Sequence, residues 1–158
     1  MKKILLFLLL FQTIGVYSQN EANNWFFGTY AGLDFNSGSP VVTSSPMTTS
    51  EGTASISDIN GNLLFYTNGV DVFDSTHSIM SNGTNLKGDV STTQSAIIIP
   101  SPANTNQYYI FTAAADGGPN GFSYSIVDRS LNSGLGEVTA TKNIPLTDSI
   151  SEKIAAIK

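Results

Sequence analysis

Glu51–Asp74, EGTASISDINGNLLFYTNGVDVFD, reads as three short β-strands, Thr53–Ser57, Asn62–Thr67 and Val70–Phe73. Asn60-Gly61 joins the first two. A two-residue Asn-Gly link takes positive φ at both positions and is the strongest short-range sign of a hairpin. Asn68-Gly69 predicts a second tight turn, so the stretch is expected to fold as an antiparallel meander.

The same order of strands returns downstream. Ser95–Pro100 matches the first strand, Tyr108–Thr112 the second and Tyr124–Asp128 the third. Ala96 takes the place of Ala54, Tyr109–Thr112 that of Leu64–Thr67, and Ser125–Asp128 that of Asp71–Asp74. A third copy opens at Glu152, with Ala155 in the place of Ala54. The repeats therefore lie near 51–92, near 93–148 and from 151 onward. Short-strand repeats of this length are the mark of a β-propeller, one repeat per blade. A closed ring takes at least about four blades. Two repeats and the start of a third predict an all-β, partial propeller over residues 19–158. The apolar run Ala155–Ile157 at its end is that of a strand cut short, so the chain reads as the front of a longer protein.

Side-chain size follows the same plan. Inner strands crowd around a central channel, and Ala54, Ala96, Ala155 and Ala156 suit that place, with Ile56, Ile98 and Ile157 close behind. Leu64, Phe65 and Tyr66, then Tyr109, Ile110 and Phe111, should fill the layers between blades, where stacked sheets need bulk. Upstream, Trp25–Gly28 and Leu33–Phe35 predict two strands that lack an Ala-bearing leader, as expected of N-terminal strands that complete a closing blade. Pro40–Ser50 has no apolar period and predicts an exposed loop, and Ile79-Met80 and Glu137–Lys142 predict weak outer strands. The alignment with Ala54 and Ala96 predicts a strand, not a helix, over Ile150–Lys158.

The chain begins with a basic Met1-Lys2-Lys3, an apolar run from Ile4 to Phe11 and a cleavage-like Val16-Tyr17-Ser18, which predict a signal peptide over 1–18 cut before Gln19. The apolar run is short for a bilayer span. There is no cysteine, so neither lipid attachment nor a disulfide is available, and strength must come from sheet packing. Without the leader, five basic residues face twelve acidic ones, a net charge of −7. No basic stripe exists to displace counterions from nucleic acid or to hold an anionic membrane.

Candidate chemistry was sought among the carboxylates. Asp34, Glu51, Asp71 and Glu152 could supply the pair a glycosidase needs, with Glu51 and Glu152 at equivalent positions before inner strands. Solvated loop carboxylates or partners of turn amides account for them more simply. A sialidase-type site needs several arginines, and Arg129 stands alone. His77, the sole histidine, has no ligand-like spacing around it and reads as a surface loop residue. Asp58–Asn62 and Asp116–Asn120 cluster oxygens without the full calcium-loop pattern, and turn chemistry explains both. Asn82-Gly83-Thr84 fits an N-glycosylation pattern, and Asp74-Ser75-Thr76 and Asp148-Ser149-Ile150 resemble O-glycosylation sites of exported Bacteroidetes proteins.

Several stretches together resemble the opening of large exported Bacteroidetes proteins. They are Asn23–Gly28, Ala31–Phe35, Ser57–Thr67, Thr93–Pro100 and Tyr124–Asp128. The likeness covers nearly the whole mature chain. It implies an N-terminal propeller followed by further repeat domains and a gliding-motility-type C-terminal sorting domain read by the type IX secretion system. It implies export to the cell surface or medium and carries no catalytic residue to this chain.

The expectation is therefore a non-enzymatic, secreted or cell-surface propeller segment that serves as an adhesion or recognition scaffold. No catalytic, cofactor-binding or metal residue is assigned. Its partners would be a surface glycan or protein ligand, bound by loops at the blade ends, and the remaining blades of the same chain. Nucleic acid and membrane insertion after signal cleavage are not expected. The alternatives are a carbohydrate-active propeller whose catalytic residues lie beyond residue 158, and a small ligand-binding β-sandwich.

Overall fold

The repeated strand signals become three small antiparallel sheets in the computed structural model, which describes residues 20–116 and 118–156. The leader over 1–18, Gly117 in the Asp116–Gly121 loop, and Ile157 lie outside the described residues.

Sheet 1 is the meander β1 (Asn24–Phe27), β2 (Thr29–Asp34) and β3 (Val41–Thr48). The segment expected as a loop over Pro40–Ser50 is thus mostly strand. Its signal is a period of two: Ser45, Met47 and Thr49 are buried while Ser44, Pro46 and Thr48 face out. Pro46 is tolerated because β3 is an edge strand, where a missing N–H breaks no ladder.

Sheet 2 is β4 (Ala54–Ser57), β5 (Leu63–Thr67) and β6 (Val72–Asp74). Its first hairpin is not the two-residue turn that Asn60-Gly61 suggests. Gly61 N–H donates to Asp58 O and Asp58 N–H to Asn62 O, at 2.9 and 2.8 Å, and only Gly61 has positive φ (85°). This is a longer loop, a first turn closed by a left-handed glycine. Asp58 selects it: one carboxylate oxygen accepts from the N–H groups of Asn60 and Asn62, and the other from the Asn62 amide. Ile79 adds a single bridge to Phe73, all that remains of the weak outer strand foreseen there.

Sheet 3 carries β7 (Ala96–Pro100), β8 (Gln107–Ala113) and β9 (Phe122–Asp128) in register, as the second repeat predicts. The far edge of β9 is shared by β10 (Glu137–Val138) and β11 (Ile144–Thr147). β11 has no strand pattern in the sequence and, like β3, holds a proline (Pro145) on a sheet edge.

Burial along the strands gives the stacking order. In β5, Phe65 and Tyr66 are consecutive, point to opposite faces and are both 0 % exposed, so sheet 2 is covered on both sides. Phe65 joins Ile56, Val72, Ala96, Ile110, Val127 and Val138 in a core shared with sheet 3. Tyr66 and Phe73 stack on each other and meet Phe26 and Met47 of sheet 1. Gly32 makes room for that contact, since a β-carbon there would lie 2.8 Å from the Phe26 ring. In β9, burial alternates residue by residue, as in a sheet with one covered face.

Strand direction distinguishes the sheets. Thr53 and Ser55 hydroxyls donate to the carbonyls of Phe26 and Asn24, so β4 runs antiparallel beside β1. β4 and β7 run the same way side by side: Gly52 N–H donates to Thr92 O at their starts, and Ala54 and Ile98 pack on the shared core further along. β4 and β7 are thus equivalent leading strands, and β1 is not. Sheet 1 lacks a leader among the described residues, as its sequence predicts. The third repeat differs from expectation, because Ser151–Ala156 has no regular secondary structure.

Candidate functional site

One concavity lies along an edge of sheet 1. Beside the unpaired edge of β1 runs an open cleft of about 660 Å³, lined by Trp25, Phe27 and Leu33 of sheet 1, Thr53–Ser55 of β4, and Ile97 and Ile98 of β7. Its wall is apolar. Trp25 is 49 % exposed, tilts on Phe35 at 4.9 Å, and donates its indole N–H to Ala22 O at 2.7 Å. The indole is therefore satisfied internally and offers the cleft only its ring.

Backbone chemistry along the cleft is polar and partly engaged. Asn24 and Phe26 turn their carbonyls away from β2, and Ser55 and Thr53 cap them at 2.6 and 2.8 Å. An apolar trough beside a strand edge has the chemistry to accept an extended segment, with ladder hydrogen bonds for affinity and pockets for alternate side chains. The cleft is the feature that sequence reasoning missed. Its signals were the strand without a leader and the alternation of Trp25 and Phe27 with Asn24 and Phe26.

The sequence candidates are dispersed. Asp34 accepts from the backbone and side chain of Asn36 and so shapes the β2–β3 turn. Glu51 is exposed and Asp71 half-buried in separate loops, and neither is brought to the other carboxylates. Glu152 ties three segments together: it accepts from Asp116 N–H at 2.7 Å, and from the Thr93 N–H and hydroxyl, each at 3.1 Å. Among the described residues, no group of three or more His, Asp or Glu side chains converges in a way that could hold a metal ion. Asn82 donates to Val138 O, Ser149 is exposed, and Ser75 is half-buried.

His77 is more integral than a surface loop residue. It sits at φ 64° in the Asp74–Ser78 turn, and its Nδ1 lies 3.1 Å from the Tyr66 hydroxyl. Its ring edge also meets Phe26. Burial pushes the Tyr66 phenol up to about 12; the adjacent Ser45 hydroxyl acts against this and Asp74 with it. Ser45 Oγ makes no well-directed hydrogen bond of its own, so its influence on Tyr66 is one of proximity. This cluster joins sheets 1 and 2.

Four carboxyls are held below their ordinary values. The Asn62 side chain does this for Asp58, the Ser91 N–H for Asp89, the Ser130 hydroxyl for Asp128 and the Asp116 N–H for Glu152. A lowered folded-state pKa contributes stability above the unfolded value that is lost as pH falls through the folded one. The melting temperature is therefore expected to be level above about pH 5 and to fall steadily from there toward pH 2. Circular-dichroism melts across that range test it, and a flat profile would contradict the role given to these turns.

Among the described residues, no helix is long and apolar enough to cross a membrane. Compared with family models, curated proteins and solved structures, the chain finds no match.

Proposed function

We propose that this chain is a segment of a β-propeller, exported to the cell surface or medium, that works as a non-catalytic adhesion or recognition scaffold. The observation that carries the reading is the stacking of its sheets, with sheet 2 packed between sheets 1 and 3. The equivalent leading strands β4 and β7 lie side by side, small at Ala54 and Ala96, and bulky second strands fill the layers behind them. β1 then belongs to a blade whose leading strand comes from elsewhere.

The scaffold role is supported by how the acidic side chains are used. Asp34, Asp58, Asp74, Asp89, Asp128 and Glu152 accept from turn amides and hydroxyls, which fixes loops at the strand ends. Such loops can vary without cost to the core and are the surface offered to a glycan or protein ligand. Type IX secretion is the export route this reading favours.

The test has two parts. Antibody labelling and protease shaving of intact native cells should find the protein outside. The mature chain should retain ligands on glycan and protein arrays without turning them over. Retention in the cytoplasm would overturn the export reading, and release of reducing sugar from a bound glycan would establish the enzyme alternative.

A further inference from the structure

We propose that Asn120 is a site of spontaneous covalent modification, where the side-chain amide is lost and the backbone can be rerouted through the side chain. The chemistry needs no enzyme and stands whether or not the sheets belong to a propeller. The nitrogen of Gly121 attacks Cγ of Asn120, the new N–Cγ bond closes a five-membered imide, and the Cγ–Nδ2 bond breaks. The proton from the Gly121 nitrogen leaves with Nδ2 as ammonia. Water then opens the imide, giving aspartate by attack at Cγ or isoaspartate by attack at the Asn120 carbonyl carbon. Glycine favours the first step because no side chain shields its nitrogen.

The sequence holds four Asn-Gly pairs, at Asn60, Asn68, Asn82 and Asn120. The fold treats them differently. An N–H that donates to a carbonyl or hydroxyl must give up that bond before its nitrogen can attack. Gly61 N–H is held by Asp58 O at 2.9 Å, Gly69 N–H by Thr67 Oγ1 at 2.9 Å and Gly83 N–H by Met80 O at 2.8 Å. Two of the asparagine side chains are held as well. Asn68 is 5 % exposed, donates to Thr48 O, and accepts from the N–H groups of Val70 and Asp71. Asn82 donates to Val138 O and accepts from Lys142 Nζ.

Asn120 is held at neither place. It is exposed, and neither its amide nor the Gly121 N–H makes a well-formed hydrogen bond among the described residues. The turn at Pro119-Asn120 is thus unlatched at the nitrogen that must attack. Beside Gly121 lies a polar hollow of about 220 Å³, shared with Gly118 and Ser149, which gives room to the ring and access to water. Reaction here has consequences because Gly121 is pinned. Its carbonyl accepts from Ala114 N–H at 2.9 Å, and a β-carbon on it would run into Thr147 O. Isoaspartate puts an extra methylene into the chain directly before that point. Either product adds a carboxylate to a loop that already carries Asp116, beside Asp148. The hairpin end therefore changes charge as the protein ages.

The test incubates the purified chain, folded, at mildly alkaline pH and follows each pair by peptide mapping with tandem mass spectrometry. Asn120 is expected to convert about tenfold or more faster than Asn60, Asn68 and Asn82, the span that one retained hydrogen bond imposes. Asn68, buried and held at both groups, should be slowest. In urea the four rates should draw together. Labelling by isoaspartyl methyltransferase should fall on the Asn120 peptide, and Asn120→Gln should remove it together with the early release of ammonia. Conversion of Asn120 no faster than that of the other three would overturn the proposal. So would the same ranking in urea, which would place the difference in neighbouring residues such as Pro119 and not in the fold.

Discussion

Replacing Phe65 by alanine is expected to remove about 3–5 kcal/mol of stability, the range for deleting a fully buried aromatic ring. That is a large share of the roughly 5–15 kcal/mol that holds a domain of this kind together. Phe65 is 0 % exposed, meets the Tyr108 ring edge-on at 5.5 Å, and sits where the cores of sheets 2 and 3 merge. No disulfide shares the load, since the chain has no cysteine. Ile59, 74 % exposed in the β4–β5 loop, is the control: Ile59→Ala should change stability by less than about 0.5 kcal/mol. Urea melts of both variants measure the contrast. A Phe65→Ala loss below about 1 kcal/mol would mean that the two sheets do not share a core, because no well-packed site gives so small a cost.

The burial of Phe65 was legible in the sequence, and the reasons bear on what was not. Two repeats with small leading and bulky second strands place β4, β5, β7, β8 and β9 to within a residue or two at most ends. Repetition supplies the register that a single copy leaves open. The strands that escaped, β3 and β11, each hold a proline and lie on sheet edges. Proline is a breaker in a paired strand and harmless on an edge, so the same residue carries opposite meanings that only the pairing resolves. The Asn60-Gly61 signal was right about the hairpin and wrong about its length. Asp58, two residues earlier, captures the turn amides and draws the loop out to Asn62. The cleft was hidden for another reason: it lies along β1, an edge strand among the described residues, and a side-chain pattern marks what pairs, not what is left without a partner. His77 packed against Phe26 and Tyr66 because a left-handed turn points it inward, which its surroundings in sequence do not disclose.

The join between repeats predicts the second large effect. Gly52 and Gly69 both lie against Ser95, the residue that opens the second repeat's leading strand. Gly69 has φ 88°, and a β-carbon there would run into Ser95 Oγ, which donates to Asn68 O at 2.7 Å. A β-carbon on Gly52 would run into Ser95 N and lie 2.8 Å from Thr92 O, the acceptor of Gly52's own N–H. The obstacles differ in kind. Gly69→Ala combines left-handed strain of about 1–2 kcal/mol with a side-chain collision that breaks the Ser95 bond, at about 1–3 kcal/mol for the carbonyl left behind. Gly52→Ala meets backbone, which no rotamer change relieves, so its overpacking cost of about 1–3 kcal/mol also shifts the leading strand itself. A double-mutant cycle separates them. In a Ser95→Gly background the cost of Gly69→Ala should fall by about 1 kcal/mol or more, leaving the strain, whereas the cost of Gly52→Ala should stay the same within about 0.5 kcal/mol. Equal relief of both would mean that Ser95's side chain, not the backbone path of the second repeat, sets how closely β4 and β7 approach. The close passage of two backbones at this point lets successive leading strands stand side by side, and a side chain at Gly52 drives them apart.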